Sequence, residues 1–165
     1  GICSNLHPDA LFHHDDWGSQ ISTFLAPKMF EEFFLPGYKK IYGFYKANGV
    51  EIVVHHSDSF AATLVPYMIE MGMDIWQGVM KTNNIPELIE QYGDKITFMG
   101  GLHSGEIDFP GWTPEICAEQ VEKACKTNGK KFYIPCLTSG LPMSNFPGVY
   151  DEVSKQIDKL SKELF

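Results

Sequence analysis

The sequence is poor in the features that assign a chain to a class at once. Basic charge is scarce: 13 Lys and Arg stand against 21 Asp and Glu, for a net charge of -8 and a pI near 5.1. A nucleic-acid interface needs a basic patch, and an anionic membrane surface attracts the same sign, so neither is expected as a partner. No apolar run approaches the roughly 20 residues that cross a bilayer. The stretch Gly1 to Asp16 is polar and acidic and does not read as a signal peptide. The four cysteines, at 3, 117, 125 and 136, form no CxxC pair, which argues against a zinc ribbon or a thioredoxin-type centre. They read as reduced thiols of a cytoplasmic protein. GxGxxG, P-loop and GxSxG segments are all missing, which speaks against those phosphate cradles and against a nucleophile-elbow hydrolase.

What remains is an ordinary globular composition, 44% hydrophobic, 21% charged and 13% aromatic, with no linker or low-complexity tract and with too many aromatics for disorder. At 165 residues it is a single domain's worth of chain. Short β-like runs alternate with helical ones. Strands are expected at Ala10–His14, Glu51–His56, Asp74–Val79, Lys95–Met99 and Lys131–Pro135. Between them, apolar residues at helical spacing mark 28–46, which Pro36 should kink or split. Further helices are expected at 60–70, capped by Ser59, at 86–92 and at 113–126. The last, from Val149 to about Leu164, aligns Val149, Val153, Ile157, Leu160 and Leu164 on one face. Such alternation builds an α/β fold with a parallel sheet, either doubly wound or part of a barrel.

Polar residues collect just after the strands, where parallel α/β folds place their active face. Strand one runs into His13-His14-Asp15-Asp16-Trp17, and strand two into His55-His56-Ser57-Asp58. Gln77 lies in strand three, His103 follows strand four, and Cys136 and Ser139 follow strand five. Five of the six histidines lie at such ends. Each doublet also has a plain explanation, one histidine buried and one exposed, because neighbours in a strand point to opposite faces. Cys136 can equally be a small core residue. Taken together, these groups can hold a divalent metal or work as general acid and base. His56 and Asp58, two residues apart, would share a side if the strand geometry continued.

The segments Asp15-Asp16-Trp17-Gly18 and Ala26-Pro27 to Phe34-Leu35-Pro36 resemble the uroporphyrinogen decarboxylase superfamily. The likeness continues through Val53 to Asp58, Glu70 to Asp74 and Gly93 to Gly101, and ends at Ser139-Gly140-Leu141-Pro142. It implies a partial (β/α)8 barrel holding the last four or five strands, as one domain over 1–165 without the N-terminal half. The superfamily's N-terminal arginine-rich substrate segment has no counterpart here. The superfamily contains porphyrin decarboxylases and corrinoid-linked methyltransferases, and the chain departs from both patterns. The histidine expected before Gly-x-Pro is Ser139, and the His-x-Cys of the zinc methyltransferases reads His56-x-Asp58. Methyl transfer to a corrinoid or thiol acceptor is the favoured expectation, with zinc held first by His56 and Asp58, with Cys136 and His14 as further ligands, and a corrinoid carried by a partner protein. His14, Asp15, Asp16, His56, Asp58 and His103 are the catalytic candidates. Trp17, Gln20, Gln77 and Ser139 are the candidates for binding a small-molecule substrate. The alternatives are a cofactor-free porphyrin decarboxylase and an inactive fragment or scaffold. Homo-oligomerisation or association with the missing half-barrel is expected in each case.

Overall fold

Leu11, His13, Val53, His55, Trp76, Phe98 and Tyr133 alternate with residues of the opposite sheet face, and that alternation organises the molecule. The computed structural model describes residues 1–139 and 141–164, apart from the side chain of Leu164. Gly140 of the Ser139–Pro142 motif and Leu164 of the last apolar face therefore lie outside the described side chains. The order is α1 (Ile2–Leu6), β1 (Ala10–His14), α2 (Pro27–Phe33), α3 (Leu35–Ala47), β2 (Ile52–His56), α4 (Val65–Glu70), β3 (Ile75–Val79), α5 (Ile85–Tyr92), β4 (Thr97–Leu102), α6 (Ser104–Ile107), α7 (Pro114–Asn128), β5 (Tyr133–Leu137) and α8 (Val149–Leu164).

The five strands form one parallel sheet in the order β1-β2-β3-β4-β5. A doubly wound sheet reverses its strand order at a switch point. This one advances without reversal, as barrel strands do. It is a five-stranded portion of a (β/α)8 barrel. Helices cover the outer face, where Val53, Trp76 and Phe98 are fully buried against α2–α5. A second cluster, Leu102, Cys117, Val121, Leu137 and Val149, packs α7 and α8 over the ends of β4 and β5. The inner face is left open: Phe12 is 51% exposed, Ile52 40% and Ile134 39%. Among the described residues no helix is long and apolar enough to cross a membrane.

Pro36 does split its helix, with α2 ending at Phe33 and α3 starting at Leu35. Ser59 does not cap a helix. Its hydroxyl bonds Ser57 Oγ at 2.7 Å, and the chain enters α4 through a 3-10 turn at Ala62–Leu64. The fifth strand lies two residues later than the Lys131–Pro135 run suggests, because Phe132 takes a left-handed φ of 63°. Pro135 is tolerated inside it because β5 is an edge strand.

Candidate functional site

Register sorts the histidines. His13 pairs with His55 and His14 with His56 across β1 and β2. His55 then pairs with Trp76, and His56 with Gln77. One row, His13-His55-Trp76, faces the helices. The next, His14-His56-Gln77, faces the barrel interior at the C-terminal strand ends.

The outer row is a packed aromatic network. His55 is fully buried, stacks on Trp17 at 3.9 Å between ring centroids, and accepts at Nδ1 from the Tyr42 hydroxyl at 2.5 Å. Its Nε2 therefore carries the hydrogen, donated to the Asp15 carbonyl at 2.8 Å. Burial, with neighbouring histidines adding to it, pulls the His55 pKa down to about 3, so the ring is neutral. Burial likewise pushes Tyr38 and Tyr42 well above the ordinary phenol range.

The inner row opens onto a cleft of about 340 Å³ across the sheet's C-terminal mouth. His14, Asp16, His56 and Asp58 form one side of it, and Ser104, Asp108, Ser139 and the loop 141–145 form the other. His14 Nε2 lies 3.8 Å from Asp16 Oδ2, and His56 Nε2 4.0 Å from Asp16 Oδ1. One donor atom from each of His14, Asp16 and His56 falls within 4.8 Å of the others. Two imidazoles and a carboxylate suit zinc. The buried Gln77 Oε1 bonds His56 Nδ1, which fixes the tautomer and turns the Nε2 lone pair toward Asp16, the support that metal-binding histidines ordinarily have. Gly78 makes room for this ring. Its φ is +90°, and a Cβ there would lie 3.0 Å from His56 Cε1. The residues present thus fit a divalent ion.

The group brought within metal-binding reach is His14, Asp16 and His56; of the expected ligands His56, Asp58 and Cys136, only His56 belongs to it. The strand ends at His56, and the Asp58 backbone N–H turns to donate to Asp16 Oδ1 at 3.2 Å. The Asp58 carboxyl lines the same cleft, its pKa raised by burial and by the Asp16 charge. Cys136 stands behind Gln77, whose amide approaches its sulfur at 3.6 Å. Burial pushes that thiol up to about 11, so it stays protonated.

Four other candidates fall outside the cleft lining. Asp15 turns to Tyr38, which donates to its carboxylate. Trp17 is buried in the outer network. Gln20 is exposed in the loop after β1. His103 begins α6, and its Nδ1 is buried without a partner. Gln77 reaches the site through His56, and Ser139 lines the cleft directly.

Apart from Ser139 and the Leu141 of its motif, sequence reading missed the far wall. The buried Asp108 accepts from the backbone N–H groups of Asn145 at 2.6 Å and Phe146 at 2.8 Å, and so pins the 141–146 loop over the mouth. Leu141 and Met143 stand exposed on that loop, and the Ser104 hydroxyl is buried without a partner. No sequence signal marks Ser104, Asp108 or Met143, because they meet the rest of the wall across the β4–α7 and β5–α8 loops. Among the described residues no lysine lines the cleft, and all 13 basic residues of the chain are lysines.

Comparison with known proteins bears on the fold and the family. No curated protein matches the chain. Among solved structures, a methyltransferase from Methanosarcina mazei superposes with a TM-score of 0.69 at 16% identity, covering 93% of this chain and 42% of its own. At that identity the likeness concerns the fold, and the present chain spans less than half of that methyltransferase's length. The family model for uroporphyrinogen decarboxylase (URO-D) matches residues 8–157. That match spans the whole sheet and both walls of the cleft, so the chain belongs to the uroporphyrinogen decarboxylase family.

Proposed function

We propose that the chain carries the site of a methyltransferase-type member of its family, one that moves a methyl group from a small-molecule donor to a corrinoid or thiol acceptor. One observation carries this reading: the cleft gathers His14, Asp16 and His56 within metal-binding reach. Uroporphyrinogen is a polycarboxylate and wants cationic donors, whereas Asp16, Asp58 and Asp108 make this mouth acidic. The fold shared with a methyltransferase adds to the case.

His14, Asp16 and His56 would hold zinc, which when bound supplies Lewis acidity to polarise a methyl–oxygen bond or activate a thiol. Gln77 keeps His56 in the tautomer that ligation needs. Ser139 would offer its hydroxyl to the substrate's polar groups, and Leu141 and Met143 would cover its apolar body. The acceptor corrinoid would arrive on a partner protein at the open mouth. A second copy or the remaining half-barrel would cover Phe12, Ile52 and Ile134. We assign the protein to the cytoplasm, where its four free cysteines stay reduced.

The test is zinc per chain after mild dialysis, together with methyl transfer to free cob(I)alamin and to a thiol, assayed with the barrel complete. Stoichiometric zinc, held measurably more weakly in Asp16→Ala, is the expected result. Coproporphyrinogen formation from uroporphyrinogen, or a protein that takes up no zinc at micromolar levels, would overturn the reading.

A further inference from the structure

Asp16 has few fixed contacts of its own. Its carboxylate accepts one backbone N–H, from Asp58 at 3.2 Å, and otherwise faces His14 and His56 at 3.8 and 4.0 Å. Its chain neighbours are held far more firmly, and both are held by one hydroxyl. Tyr38, on α3, donates to the Asp15 carboxylate and accepts from the Trp17 indole N–H at 3.0 Å. The backbone on either side is fixed as well. The Asp15 carbonyl accepts from His55 Nε2, the Asp15 N–H donates to the His56 carbonyl at 3.2 Å, and the Trp17 N–H donates to Ser57 Oγ at 3.2 Å. Asp16 is thus a single residue strung between two clamped ones. Where its carboxylate points follows from where Asp15 and Trp17 are held.

We propose that Tyr38 is a positioning residue for the metal-binding group: by gripping Asp15 and Trp17 together from the helix layer, it aims the Asp16 carboxylate at His14 and His56. The inference rests on the reading of those three residues as a zinc-holding group. Tyr38 is buried on the outer side of the sheet and lies outside the cleft lining, so it touches neither substrate nor ion. Its action passes through backbone geometry. Outer partners of metal ligands commonly govern affinity by about 10- to 100-fold.

The probe is zinc alone, its affinity measured by competition with a chromophoric chelator. The proteins are wild type, Tyr38→Phe, Asp16→Ala, the double variant, and Tyr67→Phe, which removes a hydroxyl bonded to Glu31 on the exposed side. Thermal unfolding in chelator verifies that each is folded. Tyr38→Phe should weaken zinc by about tenfold, Tyr67→Phe should leave it unchanged, and the Tyr38 penalty should vanish once Asp16 is alanine. Independent roles would instead add. Should Tyr38→Phe not fold, Trp17→Phe keeps the ring packing but removes the indole donor, and carries the same expectation. Wild-type affinity in the folded tyrosine variant, or a penalty that persists in full on Asp16→Ala, overturns the positioning role while leaving the zinc site standing. A wild type that binds no zinc removes both.

Discussion

Replacing Gln77 by leucine separates the two tasks this side chain performs. Its Oε1 holds His56 Nδ1, while its Nε2 donates to the Ser139 carbonyl at 3.2 Å and approaches the Leu137 carbonyl at 3.5 Å. Leucine fills nearly the same volume and offers neither function. The contacts at 3.5 Å and beyond are marginal hydrogen bonds, so the loss is essentially one bond on each side. Leaving one buried donor and one acceptor unpaired costs about 1–3 kcal/mol each, which urea unfolding of the metal-free protein would register. The imidazole also loses its tautomer lock, so zinc affinity should fall by about 10- to 100-fold, equivalent to about 1.4–2.7 kcal/mol. Gln77→Glu is the counterpart. It retains an acceptor for His56 but loses the donor to Ser139, so stability should drop while zinc affinity is kept. Calorimetric zinc titration of the two variants decides the matter. Equal zinc affinity in wild type and Gln77→Leu, with stability lost in both variants, would mean that Gln77 serves only the β5 loop.

Acid should weaken the fold through His55. Its folded pKa of about 3 lies below the unfolded value of about 6.5, so the unfolded chain binds the extra proton between them. The contribution is complete above about pH 6.5 and is lost on acidification toward pH 3, at up to about 1.4 kcal/mol per pH unit. Urea titrations from pH 7 to 5 should show that slope, reduced in a His55→Phe/Tyr42→Phe double variant; identical slopes would refute it. Asp108→Ala strands the N–H groups of Asn145 and Phe146, for a loss of about 2 kcal/mol. Amide exchange in the 141–146 loop should accelerate, and unchanged protection there would dissociate Asp108 from the wall. Finally, the open edges of β1 and β5 and the exposed Phe12 face predict association: sedimentation of a clean monomer at about 100 μM would contradict it.

The strands and the end of the sheet that bears the site were legible from composition and periodicity, because β-branched runs and terminal polar clusters are local signals. Ile52–His56 announces itself, and Pro36 announces the helix break. The division of labour between His55 and His56 was legible only as an alternation. Which member is structural depends on Tyr42, and which faces the cleft depends on Gln77, each set by long-range packing. Extended spacing suggested Asp58 as the companion of His56, but the strand stops there and Asp16, from another strand's loop, takes that place. Asp108 was invisible for the same reason, since its partners lie 37 and 38 residues away.

The doublet in β2 has a consequence for how the chain finds its fold. Ile52-Val53-Val54-His55-His56 is nearly self-similar under a shift of one residue, so the strand by itself does not distinguish one alignment from the next. A slip of that size would exchange the two sheet faces and hand the buried role to a ring meant for the cleft. The distinction is supplied from outside: the Asp74 carboxylate takes the Val53 N–H at 2.6 Å and also binds Lys46 of α3. Asp74 thereby holds β2 in the register that turns His55 to the helices and His56 to the cleft. A strand paired one residue out of register would keep its valines apolar on both faces and lose the cleft histidine.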